Sequence, residues 1–247
     1  MVINALLFDM DSTIIQIEEY DFSKNYFQLL HNHYFPELDM RFFYQSMHEI
    51  TKNVMINSFP KEFTMETFMR EMSSKFNQTP EELYVKFMSF YNNEYDKLEK
   101  YISPMKGVKN LMNECIERGF EIIVATTPVF PEVAITKRLK WGGLGDFDFK
   151  LVTHAENMHF SKPRVEYYIE ILSYIKKKVT ECMMIGNEFI GDIVGPTKLG
   201  MKTFYCPVPS INEEFYDSPE FKKYNKIKPN YTGSIADFTD LLNNGLQ

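Results

Sequence analysis

The sequence has few of the residues that mark secreted, zinc-binding or membrane-spanning proteins. Its three cysteines, Cys115, Cys182 and Cys206, lie far apart along 247 residues. An odd number of scattered cysteines argues against a disulfide framework, and no CxxC pair or His/Cys cluster indicates zinc. No apolar run approaches the roughly 20 residues of a membrane-spanning helix, and two aspartates follow the apolar N-terminus too early for a signal peptide. We therefore expect a soluble cytoplasmic protein with no membrane partner.

Positive charge is also in the minority. The chain has 27 Lys and Arg against 34 Asp and Glu, which gives a formal net charge of −7. Because an acidic surface repels the phosphate backbone, non-specific binding of nucleic acid is disfavoured. A small phosphorylated metabolite is still compatible with this charge, since a bound metal and a few local cations can reverse the field inside one cleft. The sequence gives no indication of an oligomeric state.

Short apolar runs alternate with helical segments in much of the chain. Five of these runs predict β-strands: residues 2–8, 120–126, 147–152, 182–186 and 202–206. Runs of this length, separated mostly by helices, are typical of a parallel sheet in an α/β protein. Helix signals follow several of them: Ser103–Pro104, Lys162–Pro163, residues 191–199 with Gly200 after them, and Ser234 near the C-terminus. Residues 208–229, rich in Pro, Asn and charge, predict a long surface loop.

Residues 16–102 break this alternation. They contain no convincing strand, and Thr79–Pro80–Glu81–Glu82 is a capping box with proline at the first helical position. Apolar residues then recur with a helical period at Leu83, Phe87, Phe90 and Tyr91. We predict an all-helical insert of about four helices over residues 16–102, folded over the strand ends as a lid. Residues 1–15 and 103–247 would form the α/β core.

Two aspartates follow the first predicted strand. Asp9 and Asp11 lie two residues apart, directly after the run 2–8. Ligands of open α/β sheets gather at the carboxyl ends of the strands, which favours a role in chemistry. A turn, in which Asp and Ser are common, explains the same residues equally well.

Three later stretches carry polar residues at similar positions. Thr126 ends the second run and Thr127 follows it. Lys162 stands at a predicted helix start, and Glu188 and Asp192 lie four residues apart after the run 182–186. Each has a purely structural explanation when taken alone: a β-branched strand end, a solvated lysine, or acids at the start of a helix.

Together these four stretches resemble the motifs of the haloacid dehalogenase (HAD) superfamily of phosphohydrolases, in family order along the whole chain. The first family motif is DxDx[TV], and residues 9–13 read DMDST. The resemblance implies an α/β fold with a Rossmann-like parallel sheet core and an inserted all-α helical cap of the C1 type. It also implies a hydrolase acting on phosphate ester bonds. Three positions depart from the commonest pattern, with Ser12 in place of Gly, Thr127 in place of Asn and Asn187 in place of Asp.

The resemblance assigns roles to the matching residues. Asp9 would be the nucleophile that forms an aspartyl-phosphate, and Asp11 the general acid and base. Thr126 and Lys162 would complete the catalytic set by binding the transferring phosphoryl group. The remaining polar residues of the first two motifs are expected to bind substrate: Ser12, Thr13 and Thr127.

The acidic residues of these motifs would require a cation. Two unit charges about 4 Å apart repel by about 4 kcal/mol at an effective dielectric constant near 20, so several carboxylates and a phosphate cannot share a cleft unaided. Hard oxygen ligands suit Mg²⁺. The resemblance implies that Asp9, the Asp11 backbone carbonyl and Asp192 bind Mg²⁺, with Glu188 bound directly or through water.

Other functions remain open at this point. A phosphomutase uses the same two aspartates and differs in whether the lid keeps water from the aspartyl-phosphate. A non-catalytic HAD-fold binding module is favoured by the altered Ser12, Thr127 and Asn187 and opposed by the retention of Asp9 and Asp11. Family members that cleave carbon–halogen bonds lack an acid at the position of Asp11, so its presence favours a phosphate monoester as substrate.

Overall fold

A six-stranded parallel sheet forms the centre of the protein. The computed structural model describes residues 2–56, 59–208, 223–224 and 226–245. Its strands in chain order are β1 (Ala5–Phe8), β2 (Ile15–Ile17), β3 (Ile102–Pro104), β4 (Glu121–Val124), β5 (Leu151–Val152), β6 (Cys182–Gly186), β7 (Lys202–Tyr205) and β8 (Tyr231–Thr232). The sheet has the order β5-β4-β1-β6-β7-β8 with all neighbours parallel, and β2 pairs with β3 in a separate antiparallel ribbon.

All five predicted strands are present, each at the predicted place and most of them shorter. Strands β2, β3 and β8 were not predicted. The expectation of no strand in residues 16–102 is wrong at both ends of that segment, where β2 and β3 pair, and the two-residue β8 follows a stretch without an apolar run. The predicted surface loop at 208–229 lies mostly outside the described residues. The α/β fold with a parallel sheet is therefore confirmed.

Nine α-helices lie in the described part of the chain. They are α1 (Glu19–Tyr34), α2 (Met40–Ile56), α3 (Thr64–Phe76), α4 (Pro80–Asn93), α5 (Val108–Glu117), α6 (Glu132–Trp141), α7 (Val165–Ile175), α8 (Gly195–Leu199) and α9 (Ile235–Asn243). None of the described helices combines the length and the apolar composition that crossing a membrane requires. The capping boxes at Thr79 and Ser234 are both present, at the starts of α4 and α9.

The predicted helix start at Ser103–Pro104 is wrong. These residues belong to β3, where Ser103 lies opposite Gln16 and Pro104 opposite Ile15, and α5 begins only after Gly107. Pairing with β2 overrides the local capping signal, and a two-stranded ribbon leaves an edge on which proline is tolerated.

Two other helices differ from the prediction at their starts. The helix expected from Lys162–Pro163 begins at Val165, as α7. The segment predicted as one helix over 191–199 is divided into a π-helical turn, Phe189–Val194, and the short α8. Pro196 has no N–H group with which to continue the hydrogen bonding of the preceding turn.

Strand β1 is the central strand and delivers the first motif to the edge of the sheet. All four of its residues are fully buried between β4 and β6. Leu6 and Phe8 pack into the core on one face of the sheet, and Ala5 and Leu7 pack into the core on the other. A parallel strand covered on both faces is expected to be a continuous apolar run, as it is here.

Helices α1 to α4 and a 3₁₀ helix, Tyr95–Tyr101, occupy the chain between β2 and β3. The helical insert predicted from the sequence is confirmed. The predicted domain boundaries at residues 16 and 102 fall in the β2–β3 ribbon, and the division of the chain at these points stays a prediction.

The start of α3 joins this insert to the core. Thr64 Oγ1 donates to the Pro128 carbonyl at 2.6 Å, and the Thr64 and Met65 N–H groups donate to the Met158 and Ala155 carbonyls at 2.8 Å. Because Pro128 follows β4, these bonds hold the insert beside the carboxyl ends of the strands.

The three cysteines should be unreactive in the folded protein. All three are buried and free, and burial raises the pKa of Cys115, Cys182 and Cys206 to about 12. Only the thiolate is nucleophilic. We expect an aromatic disulfide reagent at about pH 8 to react slowly with the native protein and to titrate three thiols in guanidinium chloride. A thiol of the native chain that reacts at the rate of a free cysteine would contradict this.

Candidate active site

Three distant stretches of the chain meet at the carboxyl end of β1. Asp9 follows β1, Lys162 precedes α7, and Asp192 lies in the turn after β6. The Lys162 ammonium donates to Asp9 Oδ1 and to Asp192 Oδ1, each at 2.6 Å. All three side chains are buried, with exposed fractions of 9% or less. The convergence expected from the sequence is present in the structure.

The electrostatics of this cluster are dominated by burial and by charge pairing. Burial alone would lower the pKa of Lys162, but Asp192 and Asp9 outweigh it and raise that pKa well above its ordinary value. Burial raises the pKa of Asp192 well above its ordinary value, and Lys162 opposes this shift. The lysine therefore stays charged between two carboxylates.

Glycine and backbone groups hold Asp192 in place. A Cβ atom at Gly186 would lie 2.1 Å from Asp192 Oδ2, so the last residue of β6 must lack a side chain. The Glu188 N–H donates to the same Oδ2 at 2.9 Å. The backbone of the fourth motif thus fixes the carboxylate that pairs with Lys162.

Thr13 and Asn187 lie beside the second oxygen of Asp9. Thr13 Oγ1 is fully buried, 3.5 Å from Asp9 Oδ2 and 3.1 Å from the Asn187 amide. With its nitrogen inward, that amide donates to the Asp11 carbonyl and Thr13 Oγ1 at 3.1 Å and to Asp9 Oδ2 at 3.2 Å. With its oxygen inward, it accepts from Thr13 instead.

A cleft of about 250 Å³ opens onto these residues. Its walls are Asp9, Asp11, Glu19, Met55, Thr126, Thr127, Val129, Phe130, Arg138, Asn187 and Glu188. The threonines of the second motif, both aspartates of the first and Glu188 of the fourth therefore face one space, whereas Asp192 lies buried behind it. Burial, followed by the charge of Asp9, raises the pKa of Glu188.

Ser12 is directed elsewhere. It adopts a left-handed backbone conformation with φ 57°, and its hydroxyl donates to Glu19 Oε1 at 3.1 Å. It does not line the cleft, and its expected contact with substrate stays a prediction.

Arg138, which was not predicted from the sequence, forms an ion pair with Asp11 Oδ1. It lies on α6 with 2% of its side chain exposed, whereas 30% of the Asp11 side chain is exposed. Burial raises the pKa of Asp11, and the Arg138 charge opposes that shift. The Arg138 guanidinium is thus a second buried cation of the site, and unlike Lys162 it lines the cleft.

Two aromatic rings enclose Arg138. Its guanidinium carbon lies 5.2 Å from the ring centroids of Phe22 on α1 and of Phe130 after β4. Such contacts contribute up to about 2 kcal/mol when desolvated. Its Nε has no hydrogen-bond partner among the described residues.

The oxygen atoms of the cleft are suited to a magnesium ion. No three His, Cys, Asp or Glu side chains of the described chain are close enough to bind a metal alone. With the Asn187 oxygen inward, however, this atom, the Asp11 carbonyl and Asp9 Oδ2 form a set with separations of 3.1 and 3.2 Å. Adjacent ligands of octahedral Mg²⁺ at about 2.1 Å are about 3 Å apart.

The fold and the site together define an enzyme family. The haloacid dehalogenase-like hydrolases match residues 6–206, most of the chain. The protein belongs to that family, and the hydrolase expected from the sequence is confirmed.

Curated relatives include pyrophosphatases. Pyrophosphatase PpaX of Bacillus cereus (strain ATCC 10987 / NRS 248) is 27% identical over 207 residues, which are 82% of each chain, and PpaX of Bacillus anthracis matches to the same extent.

Solved structures of the family share the fold. The HAD hydrolase YfnB of Bacillus subtilis is 19% identical with a TM-score of 0.58, over 98% of this chain and 100% of that one. The L-2-haloacid dehalogenase of Xanthobacter autotrophicus is 11% identical with a TM-score of 0.57, over 98% and 99%.

Replacing Lys162 should destabilise the fold far more than replacing an exposed lysine. Lys162→Met leaves two buried carboxylates without their cation, and breaking such a pair costs about 3–5 kcal/mol in the free energy of unfolding. Lys75→Met, which removes a partly exposed ion pair with Glu49, should cost less than about 1 kcal/mol. Urea unfolding at neutral pH measures both, and equal losses would contradict the central role of Lys162.

The decrease in the free energy of unfolding caused by Lys162→Met should become smaller as the pH falls. Burial already raises the pKa of Asp192, and without the lysine that pKa lies still further above its unfolded value near 3.9. The folded variant then binds more protons than the unfolded one. Its free energy of unfolding should therefore rise between about pH 7 and about pH 5.

Proposed function

We propose that this protein is a magnesium-dependent phosphatase that hydrolyses a small phosphate monoester through an aspartyl-phosphate on Asp9. The observation that carries the proposal is the environment of Asp9. One of its oxygens accepts from Lys162 at 2.6 Å, and the other faces Thr13 and Asn187 at the cleft wall. A carboxylate held at both oxygens beside a cavity can approach phosphorus in one defined direction.

The first step forms a bond between an Asp9 oxygen and phosphorus and breaks the bond to the ester oxygen. Asp11 gives its proton to that departing oxygen. In the second step, Asp11 removes a proton from water, which attacks phosphorus and releases inorganic phosphate and free Asp9. Asp11 lies two residues from Asp9 and lines the same cleft.

Other residues would hold the phosphoryl group. Thr126 and Thr127 line the cleft and can donate from hydroxyl groups, and the Lys162 charge offsets that of the incoming phosphate. Thr13 positions Asp9 through its hydroxyl. Such preorganised donors and cations are the main source of rate in phosphoryl transfer.

Magnesium would be held by Asp9, the Asp11 carbonyl and the Asn187 oxygen, with Asp192 and Glu188, the further acids expected from the sequence, near by. When bound, it would neutralise negative charge on the phosphoryl oxygens and carboxylates. The raised pKa values of Asp192 and Glu188, caused first by burial, are consistent with acids that ionise fully only beside a further cation. The fold relative YfnB was solved with magnesium bound.

Arg138 would act as a positioning residue for Asp11. It fixes one oxygen of the proton donor and is itself fixed between Phe22 and Phe130. It would also stabilise the carboxylate that Asp11 becomes after giving up its proton.

Asp9→Asn should abolish phosphate release. An amide is a poor nucleophile, and removal of a nucleophile commonly lowers kcat by at least ~10³-fold. Release of phosphate from an aryl phosphate, with Mg²⁺ and with a chelator, measures both the variant and the metal requirement. The exposed Asp148→Asn is the matched control and should keep full activity. Turnover by Asp9→Asn at the wild-type rate would exclude the mechanism. Phosphoryl transfer by the wild type to an added sugar phosphate, without release of free phosphate, would indicate a phosphomutase.

Asp11→Asn and Arg138→Met should both slow esters that have a poor leaving group far more than esters that have a good one. Loss of a general acid should slow aspartyl-phosphate formation from esters of alkyl alcohols by about 10²–10⁴-fold. Dinitrophenolate leaves without a proton, so dinitrophenyl phosphate should be slowed far less. Steady-state kcat/KM, which reports the steps up to formation of the aspartyl-phosphate and not its hydrolysis, measures the ratio for the two esters. A variant that was merely destabilised would lose both activities equally, which would remove Arg138 from the mechanism.

A further inference from the structure

A second cavity adjoins the cleft. It has a volume of about 190 Å³ and lies between α1, α2, α3 and the loop after β4. Its apolar wall, which we call the aromatic chamber, includes Phe22, Tyr26, Phe27, Met47, Phe68 and Phe130. Val129 and Phe130 line both the chamber and the cleft, so the two spaces adjoin at these residues.

The chamber carries no cation to meet a negatively charged group. Among the described residues that line the chamber and the cleft, Arg138 is the sole Lys or Arg. Its charge is matched by Asp11, and the charge of Lys162 is matched by Asp9 and Asp192.

Acidic groups of the cleft also disfavour a negatively charged leaving group. Glu19 and Glu188 also line it. One uncompensated pair of like charges at about 4 Å costs about 4 kcal/mol at an effective dielectric constant near 20. With the proposed magnesium taken up by the phosphoryl group, an anionic leaving group would therefore face this repulsion and meet no unpaired Lys or Arg among the described lining residues.

We infer that the chamber is the leaving-group site and that the leaving group is uncharged and carries about one aromatic ring. The inference rests on the proposed phosphatase function. An apolar protein cavity of about 150 Å³ is large enough for benzene, so 190 Å³ admits one ring with a small substituent. Ser23, His48 and Thr51 give the chamber a few polar groups for a neutral substituent.

This substrate class differs from that named in the curated relatives. The leaving group of pyrophosphate is itself a phosphate, and that of phosphoglycolate carries a carboxylate. Both would bring negative charge to a wall of aromatic and acidic side chains. The proposed leaving-group site is thus ill suited to pyrophosphate, the substrate in the relatives' name.

A substrate panel tests the inference directly. Benzyl phosphate and phosphoglycolate both release an alkyl alcohol, so they differ mainly in the ring and the charge. We expect kcat/KM for benzyl phosphate to exceed that for phosphoglycolate and for pyrophosphate by at least about tenfold. Comparable or higher values for either anionic substrate would overturn the inference and leave the phosphatase function intact. Release of no phosphate from these three substrates or from acetyl phosphate would overturn both.

Filling the chamber tests its location. Thr51→Phe adds a ring on the α2 wall, and Lys52→Phe adds the same ring at the exposed neighbouring residue. Thr51→Phe should lower kcat/KM for benzyl phosphate, relative to that for the small acetyl phosphate, by about tenfold, whereas Lys52→Phe should leave the ratio unchanged. Ser23→Phe on the α1 wall should act like Thr51→Phe and serves if that variant does not fold. An unchanged ratio in a folded filling variant would overturn the assignment.

Discussion

The Lys162 ammonium between Asp9 and Asp192 is the interaction on which the site depends. It ties the end of β1 to the turn after β6 and to the segment before α7, all within the buried interior. Removing three charged groups from water is costly, and that cost is recovered only when the pairs are close and the remaining oxygens are bonded. Here the distances are 2.6 Å, and the second Asp192 oxygen accepts from the Glu188 backbone. The arrangement that prepares Asp9 for chemistry is therefore also one that holds three chain segments in register.

Elements of the fold with strong local signals could be predicted from the sequence, and those decided by distant contacts could not. Strand β1 is a continuous apolar run because both faces of a central parallel strand are covered. The capping box at Thr79 is satisfied within its own helix, so it was predictable. Ser103–Pro104 carries a similar local signal, yet pairing with residues 15–16 places it in a strand. That partner lies almost ninety residues away and leaves no trace in the local pattern.

The same distinction holds for the site. The residues that the family motifs identified stand at strand ends or beside a helix start, where the topology of the sheet brings them together. They are Asp9, Thr126, Lys162 and Asp192. Arg138 belongs to no such motif. The sequence pattern that could have identified Arg138 is a charged residue on the apolar face of α6, three or four positions from the buried Ala134 and Ile135. A cation in that position is either a packing error or a partner for a buried acid, and Asp11 is that acid.

Asp11 is subject to two opposing effects that suit a group with two roles. Burial favours its protonated form, which is needed to give a proton to the leaving oxygen, and Arg138 favours the carboxylate that results. The two forms are thereby brought closer in free energy than either effect alone would allow, and a proton can be given up in one step and recovered in the next. The aromatic rings that enclose Arg138 make this balance more sensitive, because they exclude water that would otherwise screen the pair. Phe130 belongs both to this enclosure and to the aromatic chamber. A ring bound in the chamber would therefore complete the dry surroundings of the proton donor, so that occupancy by the right leaving group and readiness to protonate it depend on the same wall.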